Sequence, residues 1–485
     1  MQRALVDDLI CPYCNGHFKV ASEVETTAGD LNYALIECRC FKFPIVEGIL
    51  LLSLAKGYGG AEEELQPYVP LQVAAIELLE RGDVHGLRGW IRRHIPLAAD
   101  IVNGSAGSYL QFRSKMVRQL ESAKTRYLIR QGRYESIGFH ERTRIRVLAR
   151  HMYHMYRIWR WPVQYELEQL ADFYAGRFFS PRTNALAMQL QSLPMNGRVL
   201  SLCCGQGVFE NLITARAPSC TIISIDGQFL NLLVTRHFVN PTGAYICHDV
   251  QMPLPFRDGY FNGVFSSTCL PEIPTQRSFV TESIRVTRDI GWTLFDSIWA
   301  TGVSARIDHL RHYRFAQNFF SHLSDYSRLF SEYTPADREV AVGISAPPDA
   351  YRKSVGWITG KERIDVAIQQ SAEPMLTVLI MNPNRVPATQ STDSPSWLTP
   401  EKLYVNPVFS VKQTSRSELI LELRPWLAHI PGHAPLAFEG YPVTKILKRD
   451  DLKNPEFLLQ AFCGGLLVLL PRAFGDEPRR LSTFL

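Results

Sequence analysis

The chain has 485 residues, of which 46% are hydrophobic and 20% charged, and its formal net charge is +5. This length exceeds a single compact core, and the composition is that of a folded protein, which excludes a largely disordered chain. The opening MQRALVDDLI lacks the apolar core of a secretory signal, and the longest apolar run, AFCGGLLVLLP, is shorter than a bilayer-spanning helix. We therefore expect a soluble, cytoplasmic protein of several domains without a membrane anchor.

Four of the ten cysteines lie in the first sixty residues, in two closely spaced pairs. Cys11 and Cys14 form a Cys-x-x-Cys pair, and Cys38 and Cys40 form a tighter Cys-x-Cys pair. Four thiolates are a tetrahedral ligand set for structural zinc, which stabilises small domains. The sequence predicts a zinc ribbon with these four ligands. His17 is a substitute ligand, and a metal-free ribbon with reduced thiols is the alternative.

The segment FPIVEGILLL, directly after the second cysteine pair, carries a resemblance over about residues 5–55. It resembles the strand-and-turn ending of a family of small zinc-ribbon proteins that activate RNA and protein methyltransferases. In that family the ribbon adds a strand to the methyltransferase sheet and covers its apolar surface. The resemblance implies the same role here, with the activator and its enzyme in one chain.

The middle of the chain, from about Ala61 to Leu193, has the pattern of helices. Apolar residues recur at steps of three and four, as from Ile145 to Trp159. Thirteen basic residues oppose three acidic ones between Leu110 and Arg160. This region is either a solvated basic helix face or a surface for an anionic partner such as RNA, a phosphorylated substrate or an acidic peptide.

Strand-like and helix-like segments alternate from Gly197 to about Ala300. RVLSLCC and CTIISID have the apolar pattern of buried strands, and VFENLITARA and QFLNLLVTRHF follow them as helices. This alternation predicts an α/β fold with a parallel, doubly wound Rossmann-like sheet. Ligands of such sheets bind at the carboxyl ends of the strands.

The turn after the first of these strands predicts a nucleotide-like cofactor. Gly205 and Gly207 allow backbone to approach a ligand without an intervening Cβ. Asp226 ends the next strand, 19 residues after Gly207, where an acid can accept protons from ribose hydroxyls. Asp249 follows the third strand.

Four segments in order resemble class I S-adenosylmethionine-dependent methyltransferases, over roughly residues 171–383. They are VLSLCCGQGVF, ISIDGQFLNLL, CHDVQMPLPFRDGYFNGVFSSTCLPEI and ESIRVTRDIGWTLF. The resemblance implies that S-adenosylmethionine binds with Asp226 on the ribose, Asp249 on the adenine amino group and the Val250 backbone on the ring. The expected cofactor-binding residues are Ser201, Cys203, Gly205, Gly207, Asp226, Gly227, Asp249, Val250 and Ser266.

Three positions depart from the pattern of this family. Ser201 stands where an acid is usual, Cys203 replaces the first glycine of the turn, and Asn262 replaces a common aspartate. Weaker cofactor binding, an altered pose or an inactive scaffold are the consequences that these changes allow.

Methyl transfer depends mainly on the alignment of donor and acceptor, and a base is needed only for hydroxyl, acidic carbon or protonated amine acceptors, so the sequence does not identify a catalytic base. Glu272, His309, His312 and Tyr313 are candidates for contacts with the acceptor, with a surface or packing role as the alternative for each.

A Pro/Ser/Thr-rich stretch precedes a separate C-terminal module. In that module ELILELRPWLAHI predicts a strand, and PVTKILKRDDLKNPEFLLQAFCGGLLVLLP predicts two helices and a final strand, an order that is winged-helix-like. The predicted organisation is a zinc ribbon over 1–56, a helical basic region over 57–170, a methyltransferase domain over 171–383, a linker over 384–400 and a small α+β module over 401–485.

These observations together predict a methyltransferase that acts on a small-molecule natural product or a peptide, with a zinc-ribbon activator in the same chain. The first alternative is an RNA methyltransferase that uses the basic helical region. The second is a non-catalytic, methyltransferase-like scaffold.

Overall fold

The computed structural model describes residues 1–27, 29–52, 68–95, 178, 181–191, 193–205, 207–299, 323–344, 358–359, 375–385, 395–406, 409–413, 418–423, 444–471 and 480–484. The chain forms two compact units. The first comprises Met1–Val102, Leu193–Ser345 and Val355–Gln390, and the second comprises Asn103–Ser192, Ala346–Ser354 and Ser391–Leu485.

A sheet of twelve strands is the centre of the first unit. Its strands are β1 (Lys19–Thr27), β2 (Asp30–Glu37), β3 (Lys42–Val46), β4 (Ile49–Leu51), β5 (Arg198–Leu202), β6 (Thr221–Asp226), β7 (Ala244–Cys247), β8 (Phe261–Ser267), β9 (Thr287–Trp299), β10 (Glu339–Ile344), β11 (Ile358–Thr359) and β12 (Met375–Met381). Their order across the sheet is β1-β2-β3-β4-β7-β6-β5-β8-β9-β12-β10-β11.

The six strands from β4 to β9 in this order are parallel, and the strands outside them pair antiparallel. All four residues of β7, and all but the first residue of β5 and β6, are buried. Parallel strands covered on both faces have such continuous burial. The predicted α/β, doubly wound Rossmann-like sheet is therefore confirmed.

The ribbon strands extend this sheet rather than form a separate one. β4 pairs in parallel with β7, with Ile49 opposite Tyr245 and Leu51 opposite Cys247. Residues of the ribbon and of the central strands belong to one cluster of buried apolar side chains. One hydrophobic core thus includes both parts of the chain, as the ribbon resemblance implied for strand addition.

The helices of the first unit are α1 (Arg3–Asp8), α2 (Tyr68–Glu80), α3 (Val84–His94), α5 (Val208–Arg216), α6 (Phe229–Val234, continued by a π-helical turn over Thr235–Val239), α7 (Gln276–Arg285) and α8 (Leu323–Tyr333). α3 begins after Asp83, whose side chain accepts a hydrogen bond from the Gly86 N–H at 2.6 Å, as an N-cap does. No described helix is both long and apolar enough to cross a bilayer.

The second unit contains α4 (Pro181–Gln191), α9 (Pro455–Cys463) and five strands. The strands are β13 (Leu403–Val405), β14 (Phe409–Gln413), β15 (Glu418–Leu423), β16 (Thr444–Lys448) and β17 (Leu467–Leu469). β14, β15 and β16 form an antiparallel sheet, and β13 pairs with β17. The buried Asn184 amide donates to the carbonyls of Phe462 and Leu467 at 2.7 and 2.8 Å, which ties α4 to α9 and β17.

One prediction for the C-terminal module is wrong. The segment TKILK, predicted as part of a helix, is strand β16, because it pairs with β15 from Glu418↔Lys448 to Glu422↔Thr444. The predicted strand at β15, the helix at α9 and the final strand at β17 are confirmed.

Several predictions concern residues that lie outside the described part of the chain. They are the apolar stripe from Ile145 to Trp159, the basic region between 110 and 160, and the acceptor candidates His309, His312 and Tyr313. The domain boundaries remain predictions.

Candidate cofactor site and thiol cluster

The turn between β5 and α5 has left-handed backbone at three positions. Cys203 has a φ of 54°, Gly205 of 53° and Gly207 of 81°. A Cβ on Gly207 would lie 2.5 Å from Cγ2 of Thr235, so only glycine fits there. The Thr235 hydroxyl also donates to the Gly205 carbonyl at 3.1 Å. The turn is thus fixed by packing against the end of α6 as well as by its own backbone.

Asp226, at the end of β6, joins this turn to the next helix. Its Oδ2 accepts from the Gly205 N–H at 2.9 Å, and its Oδ1 accepts from the Gln228 N–H at 2.8 Å and the Asn231 amide at 3.3 Å. Burial raises the pKa of the carboxyl, and these three donors oppose that shift. Since a carboxylate has about four acceptor positions, one remains on Oδ2 for a ribose hydroxyl.

The segment after β7 lies beside Asp226. The His248 N–H donates to the Asp226 carbonyl at 3.1 Å, and Asp249 and buried Val250 follow directly. Oδ1 of Asp249 accepts from the Gln251 N–H at 3.0 Å. The Cys247 thiol donates to the Gly227 carbonyl at 3.5 Å. The predicted ribose and adenine acids are therefore on adjacent strand ends.

Ser201 lies beneath the turn, on the side of the sheet that α5 covers. It is opposite Ser224 on β6, and both side chains are buried. Glu210, on α5, is also buried and accepts a hydrogen bond of 2.7 Å from the Ser224 hydroxyl. Burial raises the pKa of Glu210 to about 7, and the hydrogen bond from Ser224 opposes this shift. The nearby Ser201 hydroxyl opposes it to a smaller extent and makes no hydrogen bond in this structure.

Sequence reasoning missed Glu210. The signal that would have found it is an acid in the first turn of a predicted helix, among residues that face the core. The neighbours of Glu210 in the chain, Phe209, Asn211, Leu212 and Ile213, are all buried. An acid surrounded by buried positions is rare unless it has a specific partner.

Ser266 and Cys203 flank the crevice between β5 and β8. Ser266 is buried, and its hydroxyl has no hydrogen-bond partner among the described residues. Cys203 is joined to Cys269 by a disulfide. A buried hydroxyl without a partner is unfavourable unless a ligand or water supplies one, so Ser266 fits a contact with a bound cofactor.

A second buried acid, Asp296 on β9, was also missed by sequence reasoning. Its Oδ2 accepts from the hydroxyls of Ser267 at 2.9 Å and Ser297 at 2.8 Å, and its Oδ1 accepts from Thr377 at 2.9 Å. It is opposite Ser267, the last residue of β8. Thr268 and Ser297 both have positive φ, at 59° and 55°. Such outliers concentrate at functional sites.

Glu272, the acceptor candidate in the described part of the chain, ends a short 3₁₀ turn over Leu270–Glu272. This turn follows β8 directly, at the same edge of the sheet as Cys269.

The four predicted zinc ligands come together. The four sulfur atoms all lie within 4.8 Å of one another; they belong to Cys11, Cys14, Cys38 and Cys40. Tetrahedral zinc with bonds of about 2.3 Å needs sulfurs about 3.8 Å apart, so the set fits that metal. The Gly16 N–H lowers the pKa of Cys14 to about 7, and the neighbouring thiols raise the pKa of Cys40. His17 is exposed and does not belong to this group.

Residues 200–295, from β5 to β9, match a protein family described as a methyltransferase domain. The matched stretch contains Ser201, the glycine turn, Asp226, Asp249 and Ser266. The central sheet carries a methyltransferase domain. The residues that line the carboxyl edge of its sheet fit S-adenosylmethionine as the methyl donor.

Solved structures with the same kind of domain resemble parts of the chain. The plantazolicin methyltransferase BpumL, in complex with a pentazolic desmethyl analogue and SAH, is 12% identical, with a TM-score of 0.35 over 50% of this chain and 98% of its own. A chain in a complex containing the Trm112 methyltransferase activator of Haloferax volcanii is 16% identical, with a TM-score of 0.32 over 42% of this chain and 89% of its own.

A SAM-dependent methyltransferase from Thermotoga maritima is 14% identical, with a TM-score of 0.32 over 44% of this chain and 96% of its own. Because these TM-scores are below 0.5, no argument about this protein rests on them. No curated protein matches the sequence.

Proposed function

We propose that this methyltransferase acts on a small-molecule natural product or a peptide, and that its zinc ribbon is an activator in the same chain. The observation that carries cofactor binding, on which the proposal depends, is the contact between the Gly205 N–H and Asp226. It fixes the glycine turn and the ribose acid relative to each other before any ligand binds. Such preorganisation reduces the entropy lost on binding.

S-adenosylmethionine, when bound, supplies an electrophilic methyl group on its sulfonium. Asp226 would hold the ribose through the free acceptor position on Oδ2, and Asp249 and the Val250 backbone would hold the adenine. Gly205 and Gly207 keep the turn free of side chains where backbone approaches the ligand. The chain's own task is then to align the acceptor and exclude water.

Asp296 supports an acceptor that carries an amine, which its carboxylate would bind as the ammonium and from which it would accept one proton before the neutral amine takes the methyl group. The described partners of its buried carboxylate are three hydroxyls and no cation. A buried carboxylate without a cation is costly, and an ammonium group would offset that cost. A polyanionic acceptor such as RNA would meet repulsion at this edge of the sheet. We therefore favour amines of small molecules or peptides.

The role of the ribbon as an internal activator is supported by where it joins the sheet. β4 pairs with β7, the strand that leads to Asp249. Asp8 of α1 accepts a hydrogen bond of 2.7 Å from Tyr260 and pairs with Arg198 at 3.3 Å. The Ile10 N–H also donates to the Pro255 carbonyl at 3.1 Å. The β4–β7 pairing and the Ile10–Pro255 hydrogen bond would brace the strand and the segment on which the adenine contacts depend, whereas Asp8 ties α1 to the starts of β5 and β8.

Zinc is the metal that the tetra-cysteine set fits, and its proposed role is structural. All four positions of a tetrahedron are taken by thiolates, which leaves no site for a substrate. Native mass spectrometry of the purified chain tests this part. The measurement should find one zinc per chain, and this zinc should be lost when chelator is added to acid-treated protein. A metal-free chain with reduced cysteines would contradict the structural role of zinc.

Two experiments test the function itself. Calorimetry with S-adenosylhomocysteine should show binding at concentrations well below about 1 mM, whereas absence of binding would favour a non-catalytic scaffold. Transfer of labelled methyl groups should then be measured with small-molecule amines, amine-bearing peptides and RNA as acceptors. Transfer to amines that is lost in Asp296→Asn, with unchanged affinity for S-adenosylhomocysteine, is expected. Transfer to RNA with a steep salt dependence would support the RNA alternative instead.

A further inference from the structure

The disulfide between Cys203 and Cys269 spans the crevice at the centre of the sheet. Cys203 follows β5 and Cys269 follows β8, and these neighbouring parallel strands pair with Leu202 opposite Ser266. The chain continues from β5 to β6 on one side and reaches β8 on the other, so the strand order reverses between β5 and β8. Ligands of doubly wound sheets bind in the crevice at such a reversal.

The disulfide bond lies across this crevice, between the ends of β5 and β8. The Cα atoms of Cys203 and Cys269 are 6.3 Å apart. Neighbouring strands are ordinarily about 4.7–4.9 Å apart, so this backbone separation alone does not close the crevice. The two bonded sulfurs bridge the strand ends, and a ligand that binds over these ends would need the space that the sulfurs fill. With the bond reduced, the two side chains are free to turn away from each other.

The two other cysteines near the turn do not compete for this pair. The remaining eight cysteines of the chain are free thiols. Two of them, half-buried Cys204 and buried Cys247, lie close to the turn, but loss of solvation raises the pKa of each thiol. Since the thiolate is the reactive form in disulfide exchange, these protonated thiols react slowly. Exchange at the turn is thus directed to Cys203 and Cys269 rather than to these two neighbours.

We propose that Cys203 and Cys269 form a reversible thiol–disulfide pair that controls access of the cofactor to the methyltransferase site. The inference rests on the proposed cofactor site and adds a redox control to it. Most cysteines of the chain are reduced, so a single disulfide at the site is a regulatory rather than a framework bond.

The oxidant in this exchange is a small-molecule disulfide such as oxidised glutathione. One protein thiolate attacks a sulfur of that disulfide and forms a mixed disulfide, and one small thiol leaves. The second protein thiolate then displaces the remaining small thiol and completes the Cys203–Cys269 bond. Two protein thiols are oxidised, one small disulfide is reduced to two thiols, and their protons pass to the departing thiolates.

Cofactor binding and disulfide formation are then mutually exclusive, and each opposes the other. S-adenosylhomocysteine at 100 times its dissociation constant should shift the thiol–disulfide equilibrium about 100-fold towards the thiols.

The test is calorimetry of S-adenosylhomocysteine with the full-length protein, reduced with dithiothreitol or equilibrated with oxidised glutathione. Alkylation of the denatured protein, followed by mass spectrometry, counts the thiols. Ten are expected after reduction and eight after oxidation. Oxidised wild type should show no heat of binding at concentrations of S-adenosylhomocysteine that saturate reduced wild type. Cys269→Ser should bind equally under both conditions, and the matched control Cys220→Ser should behave as wild type.

The possible outcomes separate this inference from the function on which it rests. Ten thiols after oxidation, or equal affinities with eight thiols, overturn the redox control and leave the cofactor site intact. A loss of affinity on oxidation that persists in Cys269→Ser places the effect at other thiols and also overturns the redox control by this pair. No binding in any state, Cys269→Ser included, refutes the cofactor site itself.

Discussion

The hydroxyl of Ser224 donates a hydrogen bond of 2.7 Å to the carboxyl of Glu210 inside the methyltransferase domain. Ser224 lies opposite Ser201, which stands where an acid is usual in related domains. The carboxyl absent from strand β5 is thus present on helix α5, which covers that strand. Its second oxygen is buried and has no hydrogen-bond partner among the described residues, which favours a protonated carboxyl.

Glu210 should make the stability of the protein depend on pH. Its pKa rises from an ordinary 4.5 to about 7 on folding. As the pH rises from 4.5 to 7, the unfolded chain loses this proton and the folded chain keeps it, so stability falls across that window by roughly 3 kcal/mol and stays lower above it. Glu210→Gln cannot ionise, so its free energy of unfolding should change less than that of wild type between pH 5 and pH 8.

Denaturant unfolding at both pH values measures this difference, and the exposed Glu77→Gln on α2 is the matched control. The control should retain the pH dependence of the wild type. If Glu210→Gln also retained it, the burial of an uncharged Glu210 carboxyl would be refuted.

Gly207→Ala should destabilise the turn for two separate reasons. Left-handed backbone costs a residue with a Cβ roughly 1–2 kcal/mol, and the clash with Thr235 adds about 1–3 kcal/mol. Gly82→Ala is the matched control, because Gly82 has a φ of 70° and no atom within 4 Å of its Cβ position. Gly82→Ala should lose only the stability that left-handed backbone costs a residue with a Cβ, and not the part that comes from a clash.

Thr235→Ser removes the clashing methyl group and keeps the hydroxyl. The double variant Gly207→Ala/Thr235→Ser should therefore recover part of the stability that Gly207→Ala loses. Equal unfolding free energies for Gly207→Ala and Gly82→Ala would mean that the contact with Thr235 does not constrain the turn.

Cys38→Ser should release the proposed zinc and destabilise the methyltransferase domain as well as the ribbon. The reason is that ribbon and central strands share one core and the β4–β7 pairing. We expect zinc content to fall below one per chain and the midpoint of thermal unfolding to fall by about 10 °C. The matched control Cys220→Ser removes a free thiol outside the tetra-cysteine cluster and should keep both values. A ribbon that loses zinc while cofactor affinity is unchanged would contradict its role as an activator.

The sheet and the turn were accessible to sequence reasoning because their signals are local. Buried strands such as β5 and β6 appear as continuous apolar runs, and Asp226 lies at a set spacing after Gly207. The strand TKILK was mistaken for a helix because its pairing partner, β15, is more than twenty residues away in the chain. Pairing of distant segments overrides weak local preference.

Contacts between distant residues account for what the sequence did not predict at the site. Cys203 and Cys269 are 66 positions apart, and Asp296 receives a hydrogen bond from Thr377, 81 positions away. Nothing in the segments around these residues marks them as partners. The cluster of four cysteines was predicted because its closely spaced pairs are a pattern in themselves.

The ribose contact of Asp226 is the central claim, and calorimetry with S-adenosylhomocysteine and its 2′-deoxy analogue tests it most directly. Wild type should prefer the natural ribose by about 10- to 150-fold, the value of a hydrogen bond to a charged acceptor of roughly 1.5–3 kcal/mol. Asp226→Asn should bind the natural ligand more weakly and lose this preference, while the exposed Asp289→Asn should keep it. Equal affinity of the wild type for both ligands, with Asp226→Asn unchanged, would contradict the account.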